Sequence, residues 1–192
     1  MSALDDAPRI QPVDRAEWRD WLAGHHATGR GVWVVTYKKA AAKPSPAYEE
    51  LICEALCFGW IDATARAVDA ERTALYFCPR RKGSVWAATN KARVERLIAG
   101  GLMQPAGLAV IDRAVADGSW TALDRSESLS PPEELEAAFD RYPRSRAAFD
   151  AFPASARKQL IGWVDSAKRP ETRERRADEA ARRAQQGMRA FP

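Results

Sequence analysis

The residues best suited to chemistry lie in one short run, Pro79-Arg80-Arg81-Lys82-Gly83-Ser84-Val85-Trp86. Arginine forks onto a phosphate or a carboxylate, and glycine lets the backbone approach a ligand closely. The run follows a predicted strand and opens a predicted helix, with Ser84 as the N-cap. Its cations would therefore meet a helix end that presents unpaired N–H groups and a partial positive charge. That combination describes an anion cradle. It is not a nucleotide loop, because the GxxxxGK(S/T) and GxGxxG spacings are both absent. A solvated basic turn that merely caps a helix has the same composition, and that reading stays open beside the first.

A second group sits in Cys57-Phe58-Gly59-Trp60-Ile61-Asp62. Strand alternation from Trp60 to Val68 puts Trp60, Asp62, Thr64 and Arg66 on one polar face, with Ile61, Ala63, Ala65 and Ala67 on the covered one. Residues 73–78 (TALYFC) read as the return strand of a hairpin, after a turn at 69–72. This return strand leads into the basic turn, so an aspartate, an aromatic plate and two arginines are expected to share a concavity. Trp60 and Trp86 are the two tryptophans of seven expected to line it. In the plainer alternative, Asp62 simply pairs with Arg66 or an arginine of the turn.

No catalytic residues emerge. GxSxG, HExxH and paired-carboxylate patterns are absent, and histidine is confined to His25 and His26. Asp62 could act as a base only if burial raised it. Cys53, Cys57 and Cys78 are read as free, mostly buried thiols. The four-residue step from Cys53 to Cys57 is not CxxC, and no second pair follows, so neither a metal nor a cofactor is expected.

The elements that would position these residues read as follows. Residues 1–12 form a flexible polar arm. Asp14 and Glu17 resemble a capping box, opening a helix with Trp18, Trp21 and Leu22 in one stripe. VWVVTY (32–37) is a strand, and KKAAAKPSPA (38–47) an irregular loop. Tyr48 to Phe58 is a deeply buried helix stopped by Gly59. Helices follow over Ala87 to Ala99 and from Pro105 to about Ala116. Residues 117–130 are a polar linker, separating an α+β core over 13–125 from a helical region over 131–192. That region reads as three helical runs punctuated by Pro143, Pro153 and Pro170. The last run, Glu171 to Met188, has almost no large apolar residue and reads as a solvated helix or fraying tail. The fold class is thus α+β, a small antiparallel sheet of about three strands packed with helices, followed by a helical C-terminal region.

With 192 residues, 46% hydrophobic and 29% charged, the chain is a folded protein rather than a disordered one. No run approaches the roughly 20 apolar residues of a membrane-spanning helix. The first residues carry two acids and no apolar stretch, unlike a secretory signal, so a cytoplasmic location is expected. A net charge of +4 permits nucleic acid without demanding it. Its distribution is uneven. Residues 80–96 hold six cations against Glu95, and residues 30–43 hold Arg30, Lys38, Lys39 and Lys43 with no acid.

The sequence resembles the YdeI/OmpD-associated family, also described as bacteriocin-protection proteins. The resemblance rests on EALCFGWID (54–62), PRRKGSVWAATNKARVERLI (79–98) with GLMQPAG (101–107), and SARKQLIGWVDSAKRPETRERR (155–176). It spans about residues 14–176. Its signature here includes Trp60, Asp62, Pro79, Arg80, Ser84, Trp86 and Asn90. The resemblance implies no catalytic residue and suggests a link to porin association and resistance to envelope-acting peptides. The reading that follows is a non-enzymatic protein with an anionic small molecule or protein partner, bound by Trp60, Asp62, Arg80, Arg81, Lys82, Ser84, Trp86 and Asn90. Its alternative is nucleic-acid binding through the basic segments 38–43 and 80–96.

Overall fold

Asp14 accepts a hydrogen bond from the Glu17 N–H at 2.9 Å and caps the first helix, α1 (Arg15–His25). The computed structural model that shows this describes Leu4 and residues 6–188. The chain divides into two compact units: one takes the chain up to Ser84 together with Thr89–Gly118, the other Val85–Ala88 together with the chain from Ser119.

The first unit is built on a four-stranded sheet in the order β1-β2-β4-β3. Its strands are β1 (Arg9–Ile10), β2 (Val32–Tyr37), β3 (Trp60–Ala67) and β4 (Arg72–Pro79). The three longer strands pair antiparallel, and the hairpin β3–β4 falls where alternation predicts it. The short β1 adds a parallel edge strand to β2. The segment read as a flexible arm thus has an ordered part, and the Trp33 indole N–H donates to the Leu4 carbonyl at 2.7 Å.

Helix α1 and α2 (Tyr48–Cys57) pack together beside the sheet. Trp18, Leu22, Leu51, Ile52, Leu56, Val32, Val34 and Phe77 form the buried apolar core. Trp18 lies 5.2 Å from Phe77, and its indole N–H is satisfied by the Leu51 carbonyl at 3.0 Å. Gly59, at φ +77°, ends α2 in a conformation that favours glycine. Helices α3 (Ala88–Ala99) and α4 (Pro105–Ala116) complete the unit.

Two sequence expectations are corrected here. A bulge between Asp62 and Thr64 breaks the alternation of β3. Asp62 faces Phe77 across the pair, whereas Thr64 faces Tyr76, a residue of the opposite face. Trp60 and Asp62 therefore share the helix-covered side. Arg66 lies on the other, its guanidinium 3.8 Å from the Trp33 ring centre. Ser84 is also not a helix cap. Its N–H closes a turn onto the Arg81 carbonyl at 3.2 Å, and α3 begins only at Ala88.

The second unit contains α5 (Asp124–Glu127), α6 (Glu133–Arg141), α7 (Ser145–Asp150), α8 (Ala154–Asp165) and α9 (Pro170–Gln185). Among the described residues four helices, not three runs, thus follow the stretch read as a linker, and that stretch itself holds α5. Leu135, Phe139, Phe149, Leu160, Ile161 and Val164 form its core together with Ala177, Ala180, Ala181 and Ala184. Those alanines overturn the reading of the last helix as solvated. They recur at i, i+3, i+4 and i+7, and their small size lets α9 approach α6 and α7 closely.

Candidate functional site

Trp60 is 1% exposed. Its ring meets Trp21 edge-on at 5.8 Å, its N–H donates to the His26 carbonyl at 3.2 Å, and Gly29 lies against it so tightly that an added Cβ would sit 2.9 Å from the ring. Trp86, in the second unit, is 2% exposed and packs 4.9 Å from Trp120. Both indoles expected to line an open groove are therefore core residues, recruited by the apolar area that each buries.

Asp62 is half-buried and accepts a hydrogen bond from the Tyr48 hydroxyl at 3.1 Å. Arg80 is buried. Its N–H donates to the Gly59 carbonyl at 2.9 Å, prolonging the hairpin ladder, and its own carbonyl accepts from Arg113 at 3.2 Å. Loss of solvent pulls the Arg80 guanidinium down to about 10, with the Asp62 charge opposing that shift. Arg81 and Lys82 are exposed. The Gly83 N–H, the backbone donor an anion would use, is occupied by the Asp117 carboxylate at 3.2 Å. Asn90 accepts from Arg93 at 2.8 Å, and Arg93 grips Glu49 through two nitrogens. Asp62, Arg80 and Tyr48 thus form one group, while Arg81 and Lys82 stand in solvent.

The second basic segment carries a feature that charge counting did not reveal. Where β2 and β4 meet the start of α2, a cavity of about 580 Å³ opens. Leu51 and Leu75 supply its apolar part, Tyr37 and Tyr48 its aromatic walls, and Thr36, Ser45 and Thr73 its hydroxyls. Lys38, Lys39 and Lys43 stand at its exposed edge. Residues 39–41 of this loop, read as irregular, form a single 3-10 turn. Lys38 donates through Nζ to the Asp69 and Ala70 carbonyls at 2.9 and 3.0 Å, fastening the loop to the β3–β4 turn. Lys43 pairs with Glu71 at 2.6 Å and lies 5.0 Å from the Tyr37 ring centre. The Glu71 hydrogen bond raises the Lys43 ammonium above its ordinary value. Lys39 has no such pairing among the described residues.

Other groups that invite chemistry are held in structural roles. His25 stacks on Trp21 at 4.4 Å, and one of its ring nitrogens contacts the Trp21 carbonyl at 2.7 Å. Burial pushes the Cys57 thiol up to about 11. Glu54, 1% exposed, is held by Arg15 and Arg19, each at 2.5 Å. Among the described residues, no cluster of three His, Cys, Asp or Glu could hold a metal ion, and no helix is long and apolar enough to cross a membrane.

A mostly antiparallel sheet packed with helices, joined in sequence to a helical cluster, defines a two-unit α+β protein. Residues 10–110, more than half of the chain, match the family model described as Domain of unknown function (DUF8412), and the chain belongs to that family. Residues 128–187 match the model described as Bacteriocin-protection, YdeI or OmpD-Associated. The string 155–176 falls within that second match, whereas 54–62 and 79–98 fall within the first. No curated protein and no solved structure matches the chain.

Proposed function

We propose that the chain binds a small anionic molecule without transforming it, and that the cavity between α2 and strands β2 and β4 is its site. The observation that carries this reading is the cavity of about 580 Å³ with three lysines at its edge. Its volume falls in the range of roughly 300–1,000 Å³ of small-molecule pockets. Glu71 balances Lys43, whereas Lys38, which donates to two turn carbonyls, and Lys39 line the same opening without a carboxylate partner. Asp62 and Arg80 stay in the reading as the group behind Tyr48, because the hydroxyl of that wall residue is tied to Asp62.

Isothermal titration of the full chain with phosphate- and carboxylate-bearing compounds tests this. Saturable binding that weakens in Lys39→Ala and persists in Arg81→Ala is the expected result, and flat traces for the wild type end the reading. The description of the family matching residues 128–187 names bacteriocin protection. The proposal therefore extends to resistance against envelope-acting peptides. A deletion strain should become more sensitive to such peptides, and unchanged sensitivity removes that extension.

A further inference from the structure

We infer that the ligand of this cavity is an aromatic compound carrying one compact anionic group, of the aryl phosphate or aryl carboxylate class. The inference rests on the anion-binding reading and specifies its chemistry. A bare inorganic anion would leave Tyr37, Tyr48 and Leu75 facing water, whereas a flat apolar body removes their surface from it. Tyr48 is suited to be the plate for that body. It is 52% exposed, yet its hydroxyl is tethered to Asp62, so its ring is held in place while one side stays open.

The charges limit the other end of the ligand. Lys38 and Lys39 are the two cations at the opening without a carboxylate partner, which matches one group of one or two negative charges. Acids stand on one side, Asp69 and Glu71 on the β3–β4 turn, where Lys38 and Lys43 meet that turn. A triphosphate or a nucleic-acid backbone leaving this opening would run into those carboxylates. Ser45 adds a suitable donor: its oxygen accepts from the Tyr37 N–H at 3.1 Å, leaving its own proton to give.

Calorimetric titration of the full chain with four probes tests the class: 1-naphthyl phosphate, neutral 1-naphthol, inorganic phosphate and tripolyphosphate. The expected result is that 1-naphthyl phosphate binds at least about tenfold tighter than each of the others. Lys39→Ala, an exposed change that leaves the fold intact, should weaken 1-naphthyl phosphate by roughly two- to tenfold and leave 1-naphthol unchanged. Leu75→Asp should abolish the advantage of the naphthyl body. Equal or tighter binding of inorganic phosphate or tripolyphosphate overturns the aromatic class while anion binding stands. Equal binding of 1-naphthol overturns the requirement for charge. Absence of binding by all four overturns both readings together.

Discussion

Glu54 offers the sharpest test of what holds the first unit together. It is 1% exposed and held on one side by Arg15 and on the other by Arg19, each at 2.5 Å. The Arg19 Nη2 also reaches the Leu102 carbonyl at 3.1 Å, so the carboxylate ties α1 to α2 and to the segment before α4. Removing one partner of a fully buried pair costs about 3–5 kcal/mol. Here the arginine side chains remain 42% and 29% exposed, so water can take over part of their solvation. Glu54→Gln keeps the shape and deletes the charge, and should therefore cost about 2–3 kcal/mol. Urea unfolding followed by tryptophan fluorescence reads this as a midpoint lowered by about 1–2 M at unchanged slope. An Arg15→Gln/Glu54→Gln double variant should lose less than the sum of its single variants, because each single change already removes the shared interaction. A loss below about 0.5 kcal/mol for Glu54→Gln would show that the cluster behaves as an ordinary surface network and refute the reasoning.

Three further outcomes follow from the same structure. Desolvation raises the Asp165 carboxyl above the usual aspartate value, with the Arg125 charge opposing it. A group raised on folding stabilises below its unfolded value and loses that contribution as pH rises through the folded one, so Asp165→Asn should flatten the pH dependence just above the ordinary aspartate range; a carbonyl NMR titration with an ordinary midpoint would contradict this. Cys57, fully buried with its thiol raised to about 11, should resist a disulfide reagent at pH 8 in a Cys53→Ser/Cys78→Ser variant until denaturant is added, and fast native labelling would disprove it. Ala181→Leu should cost about 1–3 kcal/mol by overpacking the contact of α9 with its neighbours, and an unchanged melting temperature would show that α9 is not a close-packed core element.

Local signals carried most of the fold. Asp14 caps α1, Pro105 opens α4 and Gly59 closes α2, each through contacts within a few residues. Where sequence reading failed, the deciding interaction was distant or the residue small. The alanines of β3 fit either face, so nothing local marks the bulge beside Asp62. The alanines of α9 are weakly hydrophobic, and only the partner helices show them to be core. At the site, the cations were legible but their partners were not. Lys43 meets Glu71 from a hairpin 28 positions away, and the Gly83 N–H meets Asp117 from the end of α4. Tyr37 was legible as a stacking residue, whereas Ser45 and Tyr48 were not; the signal for them was an acid-free lysine loop directly after an aromatic strand.

Amide NMR titration of the full chain with 1-naphthyl phosphate tests the central claim most directly. Shift changes should saturate and concentrate at Thr36, Tyr37, Ser45, Tyr48 and Leu75. Changes centred on residues 81–84, or an unaltered spectrum at saturating probe, would contradict the assignment of the lysine-edged cavity as the binding site.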